Sequence, residues 1–198
     1  MNEDSLNASR YWNLSIERYD AGDLDSSRIY AAWATPLYES YGDYTMMVEA
    51  INTQGNHTIS MASQQKGFTL YDSAWRTAQK YLTPSDPSYR LSLSNQAYKL
   101  FSMGESEKAA RIYQDLISSE YQPDSRDEKI YYANILYSLG SYNYDQRDFS
   151  NSLIYLKEAL RYFDKAGIQE KYLISVFQLI GLSFIQSSYP DSASVFMS

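Results

Sequence analysis

Residues 139–152 read LGSYNYDQRDFSNS, and this stretch decides the fold. Gly140 and Ser152 are small residues 12 positions apart, and the aromatic Phe149 stands between them. Two helices that meet at small residues can cross closely, and an aromatic ring can then fill the gap beside them. Apolar residues at helical spacing follow the second small residue: Tyr155, Leu156, Ala159 and Leu160. The stretch therefore predicts two helices joined by a tight turn.

The same layout occurs five times along the chain, each time with two small residues that lie 12 positions apart. The pairs are Ser15 and Ser27, Ala62 and Ala74, Ala97 and Ala109, Gly140 and Ser152, and Gly181 and Ala193. The second members of successive pairs are separated by 47, 35, 43 and 41 residues. A recurrence of this kind predicts helical hairpins that stack on one another.

The repeat fixes where the helices are predicted. The first helices of the pairs are predicted at 5–20, 44–66, 87–103, 126–146 and 168–187. The second helices are predicted at 24–40, 68–82, 106–119, 149–165 and from 189 onward. Gly22 and Gly104 are predicted to end first helices with a positive φ. The residues at this place in the other units are Thr69, Arg147 and Ser187. Pro36 lies inside a predicted helix, so we expect a kink or an early end there.

This layout resembles the tetratricopeptide repeat family over nearly the whole chain, and the separation of 35 is close to the family's repeat length of about 34 residues. The resemblance implies an all-α, right-handed solenoid of antiparallel helix pairs, with four full repeats and a partial fifth. We expect one domain, 1–198, with units at 5–42, 43–83, 84–122, 123–167 and 168–198. By analogy, it is similar to repeat regions of larger bacterial signalling proteins.

The composition argues against nucleic acid and membrane partners. The formal net charge is -7 and no run of Lys or Arg occurs, whereas phosphate and anionic lipid surfaces select clustered cations. No apolar run approaches the roughly 18–20 residues of a membrane-spanning helix. We therefore predict no membrane insertion, and the sequence leaves both cytoplasm and periplasm open.

Catalytic and metal-binding chemistry also lacks support in the sequence. The chain has no Cys, which excludes disulfides and thiolate ligands. Its one histidine, His57, is predicted to be a surface or packing residue, because a histidine metal site needs further ligands. No glycine-rich phosphate-binding motif is present. We predict no enzyme activity, no cofactor and no metal.

The family resemblance places the binding surface on the first helix of each pair, which lines a concave groove in tetratricopeptide arrays. The predicted groove residues are Trp12, Tyr19, Asn56, Tyr98, Asn134, Tyr137 and Tyr144. The only basic groove position is Lys66, so the family's carboxylate clamp is not expected. Each aromatic could instead pack between repeats, although we expect Trp12 to be exposed because the first unit has no outer neighbour.

Two functions fit this pattern. The first is a scaffold that binds a protein or peptide segment in the groove, and the alternative is a sensor for a small peptide or glycan. The last predicted helix has no capping helix, so we expect further chain or a partner to cover it. Self-association through this end is a third expectation, because apolar residues crowd there: Val176, Phe177, Leu179, Ile180 and Phe184. Alternatively, Phe177, Ile180 and Phe184 pack on the fourth unit.

Overall fold

The structure, a computed structural model, describes residues 3–118 and 122–188, and within these ranges helices are the only regular secondary structure. The helices are α1 (Glu3–Asp20), α2 (Leu24–Tyr41), α3 (Tyr44–Ser60), α4 (Gln64–Tyr81), α5 (Pro87–Ser102), α6 (Ser106–Ser118), α7 (Arg126–Asp145), α8 (Phe149–Lys165) and α9 (Ile174–Ser188). A single 3-10 turn, Glu170–Tyr172, precedes α9. The predicted all-α class is confirmed for the described residues.

The chain divides into two compact units, residues 1–99 and 100–198, with the boundary inside α5. In the first unit α1 packs on α2, α2 on α3, and α3 on α4. In the second unit α6 packs on α7, α7 on α8, and α8 on α9. Within each unit these helices pack on their neighbours in sequence, as predicted for the hairpins α1–α2, α3–α4 and α7–α8.

The helix ends repeat one turn geometry. A residue with positive φ follows the helix and its successor donates to a carbonyl five residues back, as Asp23 does to Arg18 over 2.9 Å. The prediction for Gly22 and Gly104 is confirmed, with φ of 78° and 82°. The other positive-φ residues are Gly42, Ala62, Arg147 and Gly167. Three of the next helices have an aspartate N-cap that accepts an N–H bond of 3.1 Å: Asp23, Asp43 and Asp148.

The register predicted for the second repeat, 43–83, is wrong, because Ala62 lies in a turn with φ 63° and not in a helix. The close crossing is made by Gly55 and Gly67, which are also 12 residues apart. A Cβ on Gly67 would lie 2.9 Å from the Gly55 carbonyl oxygen, and one on Gly55 would lie 2.7 Å from the Tyr71 ring. Consequently α3 ends at Ser60 rather than 66, and α4 begins at Gln64 rather than 68.

The corrected register makes the repeat more regular than the sequence suggested. With Gly67 in place of Ala74, the second small residues stand at 27, 67, 109 and 152, and their separations are 40, 42 and 43. The separation of 35 that matched the tetratricopeptide length disappears. The period of this chain is longer than the about 34 residues of that family.

The helix containing Pro36 does not end early. α2 continues to Tyr41, and Tyr38, beyond the proline, is buried at 2% exposure. Proline inside a helix costs about 3 kcal/mol. Packing of α2 against both α1 and α3 offsets this cost, because tertiary contacts supply most helix stability in proteins.

The last part of the chain differs from the prediction. α9 begins at Ile174 instead of 168, and Ser187 lies inside it rather than in a turn. Thr69, which was also predicted to lie in a turn, lies within α4. Val176 is buried and Ile180 packs on the α7–α8 cluster, whereas Phe177 and Phe184 expose 45% and 61% of their surface. The predicted packing on the fourth repeat, 123–167, is therefore confirmed for Ile180 and wrong for Phe177 and Phe184. The predicted Ala193 and the helix from 189 lie outside the described residues.

The described helices were also compared with the length and hydropathy that a bilayer demands. None of those in 3–118 and 122–188 meets both requirements for crossing it.

Candidate functional site

The predicted groove residues lie on four helices, α1, α3, α5 and α7, and belong to both units. Trp12, Tyr19, Asn56 and Tyr98 are in the unit 1–99, and Asn134, Tyr137 and Tyr144 are in the unit 100–198. Their environments separate residues that pack from residues that remain available to a ligand.

Trp12 is a packing residue, so the expectation that it is exposed is wrong. Its half-buried ring packs against a cluster of small and aromatic side chains: Ala8, Ala34, Tyr38 and Ala50. These come from α1, α2 and α3. The third helix reaches the tryptophan because the small residues between them allow close approach.

Tyr19, in contrast, is largely exposed and leans on a buried imidazole. Its ring stacks on that of His57, with centroids 5.3 Å apart and planes 8° apart, while 57% of Tyr19 remains exposed. His57 is buried, and its Nδ1 has no hydrogen-bond partner among the described residues. Burial lowers the pKa of His57, and the positive charge of Arg28 lowers it further. His57 is therefore a neutral packing residue that supports Tyr19.

Asn56 presents an oriented amide at the surface. Its side chain is exposed, and its Oδ1 accepts a hydrogen bond of 2.5 Å from the hydroxyl of the buried Tyr71. With its oxygen bonded to Tyr71, the exposed amide keeps its N–H donors for a ligand. An oriented amide of this kind can donate to a peptide carbonyl.

Tyr98 is partly exposed and contacts the aromatic side chain of Phe68. Its ring meets Phe68 edge-on, with centroids 6.3 Å apart and planes at 72°, and 40% of the residue is exposed. The neighbouring Lys99 pairs with Asp72 of α4 at 2.6 Å, which anchors this end of α5.

A series of contacts and one step along the chain link these three residues within the first unit. Phe68 touches both Tyr98 and Tyr71, and Tyr71 bonds Asn56, while Tyr19 stacks on His57, the next residue after Asn56. We call Tyr19, Asn56 and Tyr98 the Tyr19–Tyr98 surface. Ile16, one turn before Tyr19, is also 44% exposed.

Two of the three predicted groove residues in the unit 100–198 pack against other side chains. Tyr137 packs on the buried α7–α8 cluster. Tyr144 meets Phe149 edge-on at 5.6 Å, so Phe149 fills the gap at the hairpin turn as predicted. Asn134 is exposed, and it alone of the three has a freely accessible side chain.

The sequence register missed a second feature of the first unit. An open cleft of about 460 Å³ lies among α2, α3 and α4. Its lining residues are Arg28, Thr58, Met61, Ser63, Lys66, Thr69 and Leu70. Lys66, predicted as a groove residue of a first helix, lies on α4 instead. Recognition of the Gly55–Gly67 spacing would have placed it there.

Comparison with known proteins informs the fold only. No protein-family model matches the sequence, and no curated protein matches it. Among solved structures, the chain is similar to the helical protein BtubC (BKLC) from P. vanneervenii, with a TM-score of 0.62 and 14% sequence identity. The match covers 84% of this chain and 67% of that chain. At this identity the likeness supports a shared helical architecture and nothing about activity.

Proposed function

We propose that this chain is a helical-repeat module, a right-handed solenoid of the tetratricopeptide type, that binds a peptide or protein segment. The proposal of a solenoid is supported by the successive packing of the helices and by repeat separations of 40, 42 and 43 residues. The shared turn geometry adds to it, because identical connections favour identical hairpins.

The Tyr19–Tyr98 surface carries the proposal of binding. Tyr19 and Tyr98 expose 57% and 40% of their surface although each ring is braced by a second ring beneath it. A braced aromatic loses little conformational entropy on binding, and aromatic anchors dominate interface energies. Asn56 adds an exposed amide, which can hydrogen-bond to the backbone of an extended peptide.

A peptide selection tests this function. The immobilised chain would be offered a displayed library of random peptides, and the affinity of enriched peptides would be measured by fluorescence anisotropy. Because one aromatic anchor is worth about 2 kcal/mol or more, we expect Tyr19→Ala combined with Tyr98→Ala to weaken binding by more than about tenfold. Ile154→Ala, at an exposed apolar position of α8, is the matched control and should bind normally.

Two results would contradict the proposal: no enrichment by the unmodified chain, or equal affinities for the double variant and the control. The exposed tyrosine rings also favour a second function, a small-ligand sensor, since aromatic faces stack on sugar rings. Thermal unfolding with a glycan panel separates the two. A specific rise in Tm with a glycan but not with any enriched peptide would favour the sensor, because only the folded form binds.

A further inference from the structure

The cleft among α2, α3 and α4 has a charge opposite to that of the chain. Its charged lining residues are both cations, Arg28 and Lys66, and no carboxylate belongs to the lining. The chain as a whole has a formal net charge of -7. Arg28 pairs with Asp25 at 2.6 Å, but Asp25 lies outside the cleft. Lys66 is exposed and has no ion pair within residues 3–118 and 122–188.

The charged donors in the cleft are these two cations, whereas the hydroxyls of its two threonines already donate to carbonyls of their own helices. The hydroxyl of Thr58 donates to the Gln54 carbonyl at 2.7 Å, and that of Thr69 donates to the Gln65 carbonyl at 3.1 Å. Guanidinium and ammonium groups bind carboxylates with charge-assisted hydrogen bonds, which are about twice as strong as neutral ones. The cleft is therefore suited to an anionic group.

The apolar part of the lining suits a ligand larger than a simple ion. Met61 exposes 45% of its surface, and Leu70 adds a second apolar wall. The volume of about 460 Å³ lies in the range of about 300–1,000 Å³ that is typical of ligand sites. It exceeds what a free carboxylate needs and leaves room for a neighbouring apolar side chain.

We propose that this cleft binds an acidic peptide segment, with an Asp or Glu carboxylate between Arg28 and Lys66 and an adjacent apolar side chain against Met61 and Leu70. None of the lining residues belongs to the Tyr19–Tyr98 surface. The cleft is thus a second binding site, and it stands whether or not that surface binds a ligand.

A titration followed by nuclear magnetic resonance tests the site directly. The ¹⁵N-labelled chain would be titrated with acetyl-AELELA-amide and, separately, with acetyl-AQLQLA-amide, which has the same shape without charge. We expect saturable shifts of the backbone amides around Ser63 and Lys66 with the acidic peptide only. Binding should also weaken as NaCl is added, because salt screens exposed charges.

Charge-removing variants locate the contact. Arg28→Gln and Lys66→Gln should each weaken binding by about threefold to tenfold, since each loses a charge-assisted hydrogen bond. Arg76→Gln removes the same charge from an exposed position of α4 outside the cleft, and should leave the affinity unchanged. Unaltered amide spectra of the free variants would show that the fold is intact.

Three outcomes would overturn the proposal. The first is the absence of saturable shifts with the acidic peptide, and the second is equal binding of the neutral peptide. The third is saturable binding of inorganic phosphate or acetate at these amides with no binding of the peptide, which would make the cleft a site for small anions alone.

Discussion

The hydroxyl groups of Ser15 and Ser27 each donate to the other residue's backbone carbonyl across the crossing of α1 and α2. The two hydrogen bonds measure 2.8 Å and 2.7 Å, and the two side-chain oxygens are 3.1 Å apart. Both residues are buried, at 1% and 0% exposure. In the second unit Ser152 likewise donates to the Gly140 carbonyl at 2.8 Å. The small residues thus bring two helices together and satisfy each other's polar groups.

This exchange predicts how the first hairpin responds to substitution. Ser27→Ala removes one buried hydrogen bond and should lower the free energy of unfolding by about 1 kcal/mol. Ser27→Val should lower it by about 2–3 kcal/mol, because the added methyl groups overfill the crossing. Urea unfolding measures both. Ser150→Val, at an exposed position of α8, is the control, and a loss at Ser150 as large as that at Ser27 would contradict the expectation.

The corrected crossing of α3 and α4 gives a second prediction. In an ordinary helix, Gly→Ala stabilises by about 0.5–1 kcal/mol. At Gly67, however, a Cβ would lie 2.3 Å from Cγ1 of Ile59 and 2.9 Å from the Gly55 carbonyl oxygen. Gly67→Ala should therefore lower the free energy of unfolding by about 2 kcal/mol. Gly181→Ala should raise it, since no atom lies within 4 Å of a Cβ there.

The comparison of these two glycine variants also tests the register. If Gly67→Ala proved neutral or stabilising in thermal unfolding, Gly67 could not lie at a tight crossing. The originally predicted pair, Ala62 and Ala74, would then regain support.

The all-α class and most helix positions were predictable because spacing constrains helices strongly, whereas the site depended on details that spacing leaves free. A separation of 12 occurs by chance beside a real one, so Ala62 and Ala74 matched the template while Gly55 and Gly67 form the contact. The error shifted Lys66 from one helix to the next. The sequence offered both spacings, and the packing of the two glycines distinguishes between them.

Exposure was also beyond the sequence pattern. Trp12 and Tyr19 were both predicted to face the groove, but the tryptophan packs against small residues of α2 and α3. The tyrosine lies near the end of its helix, where its ring stacks on His57 and 57% of the residue stays exposed. Pro36 does not end α2 for a similar reason. The packing of α2 on both α1 and α3 outweighs the local free-energy cost of a proline inside a helix.

A pH dependence follows from the single histidine of the chain. Burial lowers the pKa of His57 below its ordinary value, so the unfolded chain binds a proton more readily than the folded one. The contribution of His57 to the free energy of unfolding should therefore be constant above about pH 7 and fall as the pH drops through the ordinary pKa of about 6.5. Below the lowered pKa of the folded state, this contribution should level off.

Because His57 is the only histidine in the sequence, one substitution removes the whole histidine contribution from the pH profile. Urea unfolding at pH 7.5, 6.5 and 5.5 compares the chain with His57→Gln, which cannot titrate in this range. The unmodified chain should lose more stability than the variant between the first and last values. Parallel pH profiles for the two proteins would show that burial of His57 does not disfavour its charged form.

The last prediction separates packing from binding within the predicted groove. Trp12→Ala removes a half-buried ring from a cluster and should lower the free energy of unfolding by about 2–4 kcal/mol. Tyr19→Ala removes a ring that is 57% exposed and should cost about 1 kcal/mol or less. If the Tyr19–Tyr98 surface binds peptides, the order reverses for affinity: Tyr19→Ala should weaken peptide binding at a temperature where both variants are folded, whereas Trp12→Ala should not. Equal effects of the two substitutions on both stability and affinity would mean that exposure does not distinguish their roles.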